Sequence, residues 1–186
     1  MVLQPSRIVS PDRIETARLV LRRPVFGDTD GLYAMLSDPQ LFRYSHVPLI
    51  DNAMDVKHII IDWDEHWDKG LRTYIIARKR AVDEPIGFVN IGRDEELGGV
   101  LMQSAAGVGL AEETIRALIP ALQLTRAWTL IDAEIAPLIR LLEKVDFHVE
   151  QVLPRYRVHP QVSTEKRDCV LIRQNNRMEV STWEGR

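Results

Sequence analysis

The stretch Ala106-Gly107-Val108-Gly109-Leu110-Ala111 decides how this chain is read, because residues 96–102 before it look like a strand and residues 110–122 after it look like a helix. Glycine takes backbone conformations closed to other residues, so main-chain N–H groups at such a junction can approach an anion closely. The start of the helix adds its positive dipole end, a combination suited to a pyrophosphate. Two glycines one residue apart also occur in ordinary tight turns. The neighbouring segments have to decide between the two readings.

Upstream, residues 72–79 and 85–91 read as paired strands joined by the polar turn 81–84. Before them a helix fits residues 51–69, where Met54, Ile59, Ile60, Trp63 and Trp67 recur at helical spacing and Gly70 supplies the stop. A shorter helix with an acidic start, Asp28 and Asp30 ahead of Leu32, Tyr33, Met35 and Leu36, ends near Pro39. Residues 14–22 read as the first strand, and residues 1–13, polar with two prolines, as a loose leader. Downstream come a short strand at 128–133 and a helix at 135–145 with Leu138, Leu141, Leu142 and Val145 on one face. Strands at 149–158 and 168–173 and a polar tail, 174–186, complete the chain. Strands and helices in this order argue a mixed α/β layer structure with helices packed on a sheet.

At 186 residues the chain is most simply one domain, 14–173, large enough to bury a core without disulfides or metal staples. A hydrophobic content of 45% is ordinary for a globular protein, and a net charge of -3 offers no basic field for nucleic acid. No apolar run approaches the roughly 20 residues that span a bilayer, and the N-terminus lacks the pattern of a signal peptide. The single Cys169 cannot form an internal disulfide, which makes a reducing cytoplasm the expected setting. Its neighbours Val170, Leu171 and Ile172 read as a buried strand, a poor setting for a nucleophile. His58, Asp62 and His66 would share one helix face, but a solvated polar face opposite Trp63 and Trp67 explains them better than a metal site, and no metal is expected. Gly-x-Ser-x-Gly, a Lys-Ser/Thr pair after the glycines and paired cysteines are all missing, so serine hydrolase, nucleotide-triphosphatase and zinc-site readings lose their usual support.

Six short segments then line up in order. They are Glu15-Thr16-Ala17-Arg18-Leu19-Val20-Leu21-Arg22 with Asp28 and Ser37-Asp38-Pro39 downstream; Ile86-Gly87-Phe88-Val89; Glu96-Leu97-Gly98; the glycine run, with Gly109 and Ala111 at its two small positions; Ile139-Arg140-Leu141-Leu142-Glu143-Lys144-Val145-Asp146-Phe147; and Arg167-Asp168 before an apolar strand. Together they resemble the GNAT superfamily of N-acetyltransferases, in particular the branch typified by ribosomal-protein N-terminal acetyltransferases. The resemblance implies an α/β (α+β) GNAT fold: a mixed, mostly antiparallel central sheet, helices on both faces, and a V-shaped splay between the fourth and fifth strands, 96–102 and 128–133. It implies acetyl-CoA as co-substrate and a primary amine as acceptor, either a peptide N-terminus or a small amine. A homodimer is left open, with neither nucleic acid nor membrane as partner.

The resemblance also assigns roles. The pyrophosphate falls on the main chain of Gly107, Val108, Gly109, Leu110 and Ala111, with pantetheine alongside Val100, Leu101 and Met102, whose strand backbone polarises the thioester carbonyl. Glu96, beside Asp94 and Glu95, is the candidate base, weighed against a solvated acidic turn. Tyr156 is the candidate acid or substrate contact, weighed against a half-buried aromatic on a sheet. Trp63 and Trp67 are candidates for the rim of the acceptor cleft, weighed against core packing.

Several positions depart from the branch pattern. Ala106 stands where Gln or Arg is usual and Val108 where Lys is common, so the loop lacks side-chain charge for phosphate. Ile135 and Leu138 replace an Asn and a Ser near the thioester, and Asp146 replaces a Gly. Glu112 and Glu113 stabilise the first helical turn but would be poor neighbours for phosphate. Two function classes follow: an N-acetyltransferase acting by direct attack in a ternary complex, or a weakened relative that binds acyl-CoA as a sensor or serves as a partner-binding module.

Overall fold

The computed structural model describes residues 11–45 and 47–175, so most of the expected leader and tail lie outside the described residues. Strands β1 (Arg13–Glu15), β2 (Leu19–Arg22), β3 (Arg72–Arg78), β4 (Ala81–Ile91) and β5 (Leu97–Leu101) form one antiparallel sheet in that order. A second antiparallel sheet contains β6 (Trp128–Asp132), β7 (Phe147–Val158) and β8 (Lys166–Gln174), with β8 in the middle. Helices α1 (Thr29–Leu36) and α2 (Ala53–Trp67) precede β3; α3 (Leu110–Ala121) follows β5 and α4 (Ala136–Lys144) follows β6.

Alternation along the strands builds a core on each face of the first sheet. Ile75 and Phe88 pack with Leu32, Met35, Val56 and Ile60 of α1 and α2. Tyr74, Ile76, Val89 and Ile91 pack with Leu110 and Leu118 of α3, in a cluster that continues to Leu142, Phe147 and Ile172. Helices therefore cover both faces, as expected. The start of α1 is tied to β2 by Arg22, which donates to both oxygens of the buried Asp28 at 2.8 and 2.6 Å.

Four local expectations need correction. The strand read over 14–22 is two strands, because Thr16 closes a turn: its N–H bonds to the Leu19 carbonyl at 3.0 Å and its hydroxyl accepts from the Leu19 N–H at 2.8 Å. Arg13, placed in the leader, is strand. The turn read at 81–84 lies instead at Lys79-Arg80, and a register shift around Ala77 lets β4 start at Ala81. Gln174, placed in the tail, ends β8, and its side-chain oxygen accepts from the Ala127 N–H. The Gly-to-Asp departure at position 146 has a backbone reason: Asp146 sits just past α4 with φ +67, the left-handed conformation that favours Gly and that Asp tolerates.

Candidate functional site

Among the described residues the backbones of the two sheets join at one bridge and then part. Glu96 and Trp128 form an isolated parallel bridge, and the Trp128 N–H donates to the Glu95 carbonyl at 3.1 Å; β5 and β6 share no further ladder. Beyond that junction β5 is a sheet edge, with one row of main-chain groups unpaired. Which residues own that row follows from the bonds on the other side. Gly92 N–H donates to the Glu96 carbonyl and Met102 N–H donates to the Ile86 carbonyl, both at 2.8 Å, so the even-numbered residues of this strand face β4. By two-residue alternation, the N–H and C=O groups of Gly99 and Leu101 face the gap.

This selects among the expected contacts. Leu101 offers its main chain to the gap, whereas Val100 and Met102 pack their side chains against the α1/α2 cluster. Gly99, not singled out in the sequence, joins Leu101. With φ +147, and with any Cβ lying 2.4 Å from the Phe88 carbonyl oxygen, only glycine fits there. The adjacent glycines Gly98-Gly99 were the signal that could have found it.

The glycine loop stands at the wide end of the gap. Gly107 and Gly109 have φ +76 and +78, and Gly109 is the N-cap of α3. No hydrogen bond links the N–H groups of Gly107, Val108 or Gly109 to another described residue. Val108 is 57% exposed while Leu110 is buried, so the loop is anchored by Leu110 and opens at Val108. The Gly109 cap carries no side-chain acceptor, leaving the first N–H groups of the helix for an external anion.

Glu113 does not face that anion freely. It accepts hydrogen bonds from the Thr16 hydroxyl, the Arg18 N–H at 2.8 Å and the Arg18 Nε at 2.6 Å. Burial pushes its carboxyl upward, and these donors more than reverse it, leaving the pKa below the usual carboxylate value. Glu112 pairs with Arg116 one turn on at 2.9 Å. The same Arg18 reaches the Val108 carbonyl with Nη1 at 2.9 Å, linking the β1–β2 turn to the glycine loop across 90 positions of sequence.

The remaining candidates separate. Glu96 is exposed at the narrow end of the gap, while neighbouring Glu95 is engaged, accepting from the N–H groups of Thr125 and Arg126. Trp63 is half-buried against Phe88, their ring centroids 5.4 Å apart, on the α1/α2 side of the sheet. Trp67 is 3% exposed, packed edge-on to Tyr74 and under the Arg23 guanidinium, so it belongs to the core and not to a cleft rim. Tyr156 is 48% exposed, on a bulge of β7 where the register shifts between Leu153 and Arg157. Ile135 caps α4 without a side-chain hydrogen bond, and Leu138 packs against the core.

A polar cluster at the end of β6 had no sequence signal. Buried Asp132 accepts from Arg167 Nε at 2.6 Å and from the Glu134 N–H at 2.9 Å, with His159 Nε2 at 3.5 Å. Burial pushes the Asp132 carboxyl upward, but the Arg167 and Glu134 hydrogen bonds and the nearby positive charge hold it below its usual value. Burial raises the Cys169 thiol pKa, which suits a packing residue. Among the described residues, no helix is long and apolar enough to cross a membrane and no group of three His, Cys, Asp or Glu is gathered for a metal ion.

The sequence model of the acetyltransferase (GNAT) domain family matches residues 18–148. A curated protein of Bacillus licheniformis, named uncharacterized N-acetyltransferase p20, is 28% identical over 155 residues, which cover 78% of this chain and 87% of that protein. Among solved structures, the fold is similar to RimL, a ribosomal L7/L12 alpha-N-protein acetyltransferase in complex with coenzyme A, with TM-score 0.76 and 13% identity over 87% of this chain and 97% of that one. It is also similar to spermidine N-acetyltransferase from Vibrio cholerae in complex with CoA and spermine, with TM-score 0.73 and 14% identity over 87% and 97% of the respective chains.

Proposed function

This chain belongs to the GNAT acetyltransferase family, and from that premise we propose that it transfers the acetyl group of acetyl-CoA to a primary amine within a ternary complex. The domain assigned to this activity is 14–173. The observation that carries the reading is the open edge of β5 leading to the glycine loop, a row of main-chain groups unpaired among the described residues that ends at the N–H groups of a helix start. The diphosphate takes the N–H groups of Gly107, Val108 and Gly109 with the α3 dipole behind them. Pantetheine runs along the β5 edge, where the N–H of Gly99 or Leu101 is placed to polarise the thioester carbonyl.

The acceptor amine approaches from the α1/α2 side, with Trp63 at its rim. It must arrive neutral, so its proton passes to Glu96, directly or through water. The nitrogen lone pair attacks the carbonyl carbon, the now cationic nitrogen of the tetrahedral intermediate gives its second proton to water, and the C–S bond breaks as that intermediate collapses, the CoA thiolate leaving with its electron pair. Tyr156 is the available proton donor to that sulfur. Thiolate is a good leaving group, so positioning of the two substrates supplies much of the rate. The acceptor class is a peptide N-terminus or a polyamine-like small amine, the two kinds of substrate named for RimL and for the spermidine enzyme.

Isothermal titration with CoA and acetyl-CoA, followed by thiol release with a panel of peptides and polyamines, tests this reading. Binding and release with at least one amine are expected; absence of binding overturns it. Gly109→Trp should abolish CoA binding while the protein still melts cooperatively, at a backbone cost of about 1 kcal/mol for leaving glycine at positive φ. A second reading, acyl-CoA sensing without transfer, is favoured by one observation: Ile135 and Leu138, at the two positions where the branch pattern has an Asn and a Ser near the thioester, are apolar. Tight binding without turnover on any amine would select it.

A further inference from the structure

Two pockets flank the glycine loop, and they differ in charge. The larger, about 480 Å³, contains Arg18 and Arg116, but each is paired with a glutamate of α3, Arg18 with Glu113 at 2.6 Å and Arg116 with Glu112 at 2.9 Å. The other, about 370 Å³, is bounded by Val108 and by Arg18, Arg78, Lys79 and Arg80, with no acidic residue in its wall. The Lys79 N–H donates to the Arg18 carbonyl at 3.0 Å, which ties the tip of the β3–β4 hairpin to the β1–β2 turn and so brings its cations to the loop. Lys79 is partly offset by Glu15 at 3.3 Å. Arg78 and Arg80 are exposed and form no ion pair among the described residues.

These cations sit beside a loop that has lost its own, at Ala106 and Val108. An acyl-CoA carries two anionic groups at its nucleotide end, a diphosphate and a phosphomonoester on the ribose 3′ oxygen. The loop N–H groups serve the first. The second lies one ribose away, and a phosphomonoester near neutral pH bears about -1.5 to -2 charges that guanidinium forks match well. We infer that Arg78 and Arg80, with Lys79 and Arg18 behind them, bind the 3′-phosphate of the acyl-CoA and supply from a distant hairpin the charge missing from the loop. The inference rests on the reading of the chain as acetyl-CoA-dependent.

Exposed ion pairs are individually weak, so their convergence on one dianion is expected to be worth about tenfold in affinity and to be sensitive to salt. The test is isothermal titration of the full chain with CoA and with dephospho-CoA, which lacks only the 3′-phosphate. Wild type should bind CoA about tenfold tighter. The double variant Arg78→Gln/Arg80→Gln should bind CoA as wild type binds dephospho-CoA, with dephospho-CoA affinity unchanged, while Arg78→Lys/Arg80→Lys keeps most of the discrimination. Added salt should shrink the difference. Equal wild-type affinity for both ligands, or an equal loss for both in the Gln variant, overturns the inference and leaves the acetyl-CoA reading standing. Binding of neither ligand by wild type overturns both. Thermal melting confirms that the variants fold, which is expected for exposed positions.

Discussion

Strands β3 and β7 carry similar β-rich sequence but occupy opposite situations. β3 lies between β2 and β4 with helices on both faces, and residues 73–77 are buried in succession. Among the described residues β7 pairs only with β8; Val149, Val152 and Tyr156 are 38%, 56% and 48% exposed. The first reads as a continuous apolar run, the signature of a strand covered on both faces. The second contains Pro154, and Arg155 at φ +46, on the bulge that bends it, features a sheet tolerates at an edge. The fold is therefore held by packing around β3, whereas β7 can carry an exposed side chain such as Tyr156 at little cost to stability.

The contrast can be broken at several points. Ile75→Ala removes a fully buried side chain from β3 and should cost about 4 kcal/mol, lowering the melting temperature by roughly 8–15 °C. A loss below about 1 kcal/mol would mean the α1/α2 face is not close-packed. Next in size is Asp132→Ala, which strips the buried partner from Arg167 at the end of the second sheet, and should cost about 3 kcal/mol in urea unfolding. Its smaller acid counterpart has a defined sign. The folded pKa values of Asp132 and Glu113 are depressed, so the stability they contribute is present above the unfolded carboxylate pKa near 4 and is lost as pH falls through the folded values. Unfolding midpoints should decline below about pH 4, and less steeply in Asp132→Ala; parallel profiles would remove Asp132 from this role. Smallest is Val152→Thr on exposed β7, expected within about 0.5 kcal/mol of wild type by thermal melting. A larger loss would show that this edge is covered.

Much of this was legible in the chain. Helix and strand order came from periodicity, and Gly70, at φ +89, follows α2 as its expected stop; the start at Asn52, which accepts from the Met54 N–H, was not singled out. The β1–β2 split was not legible, because apolar residues continue past a turn that depends on the Thr16 hydroxyl and on Glu113 of α3. The glycine loop was found from its local pattern. Arg18 and the hairpin cations were missed as its neighbours, since no local pattern links residue 18 or 80 to residue 108. For Trp67 the sequence leaves cleft rim and core packing open, and burial against Tyr74 supports the second; Trp63, one turn earlier on the same face, stays half-buried.

Local chemistry in the sequence determined the elements, the glycine loop and the family, because turn, cap and strand preferences act over a few residues. The tertiary structure alone decided that Gly99 and Leu101 own the open edge of β5, and that hairpin charge stands where the loop has none. Those are consequences of how strands pair and which distant turns meet, set by the packing of two sheets whose ladders, among the described residues, join only at the Glu96–Trp128 bridge before they part.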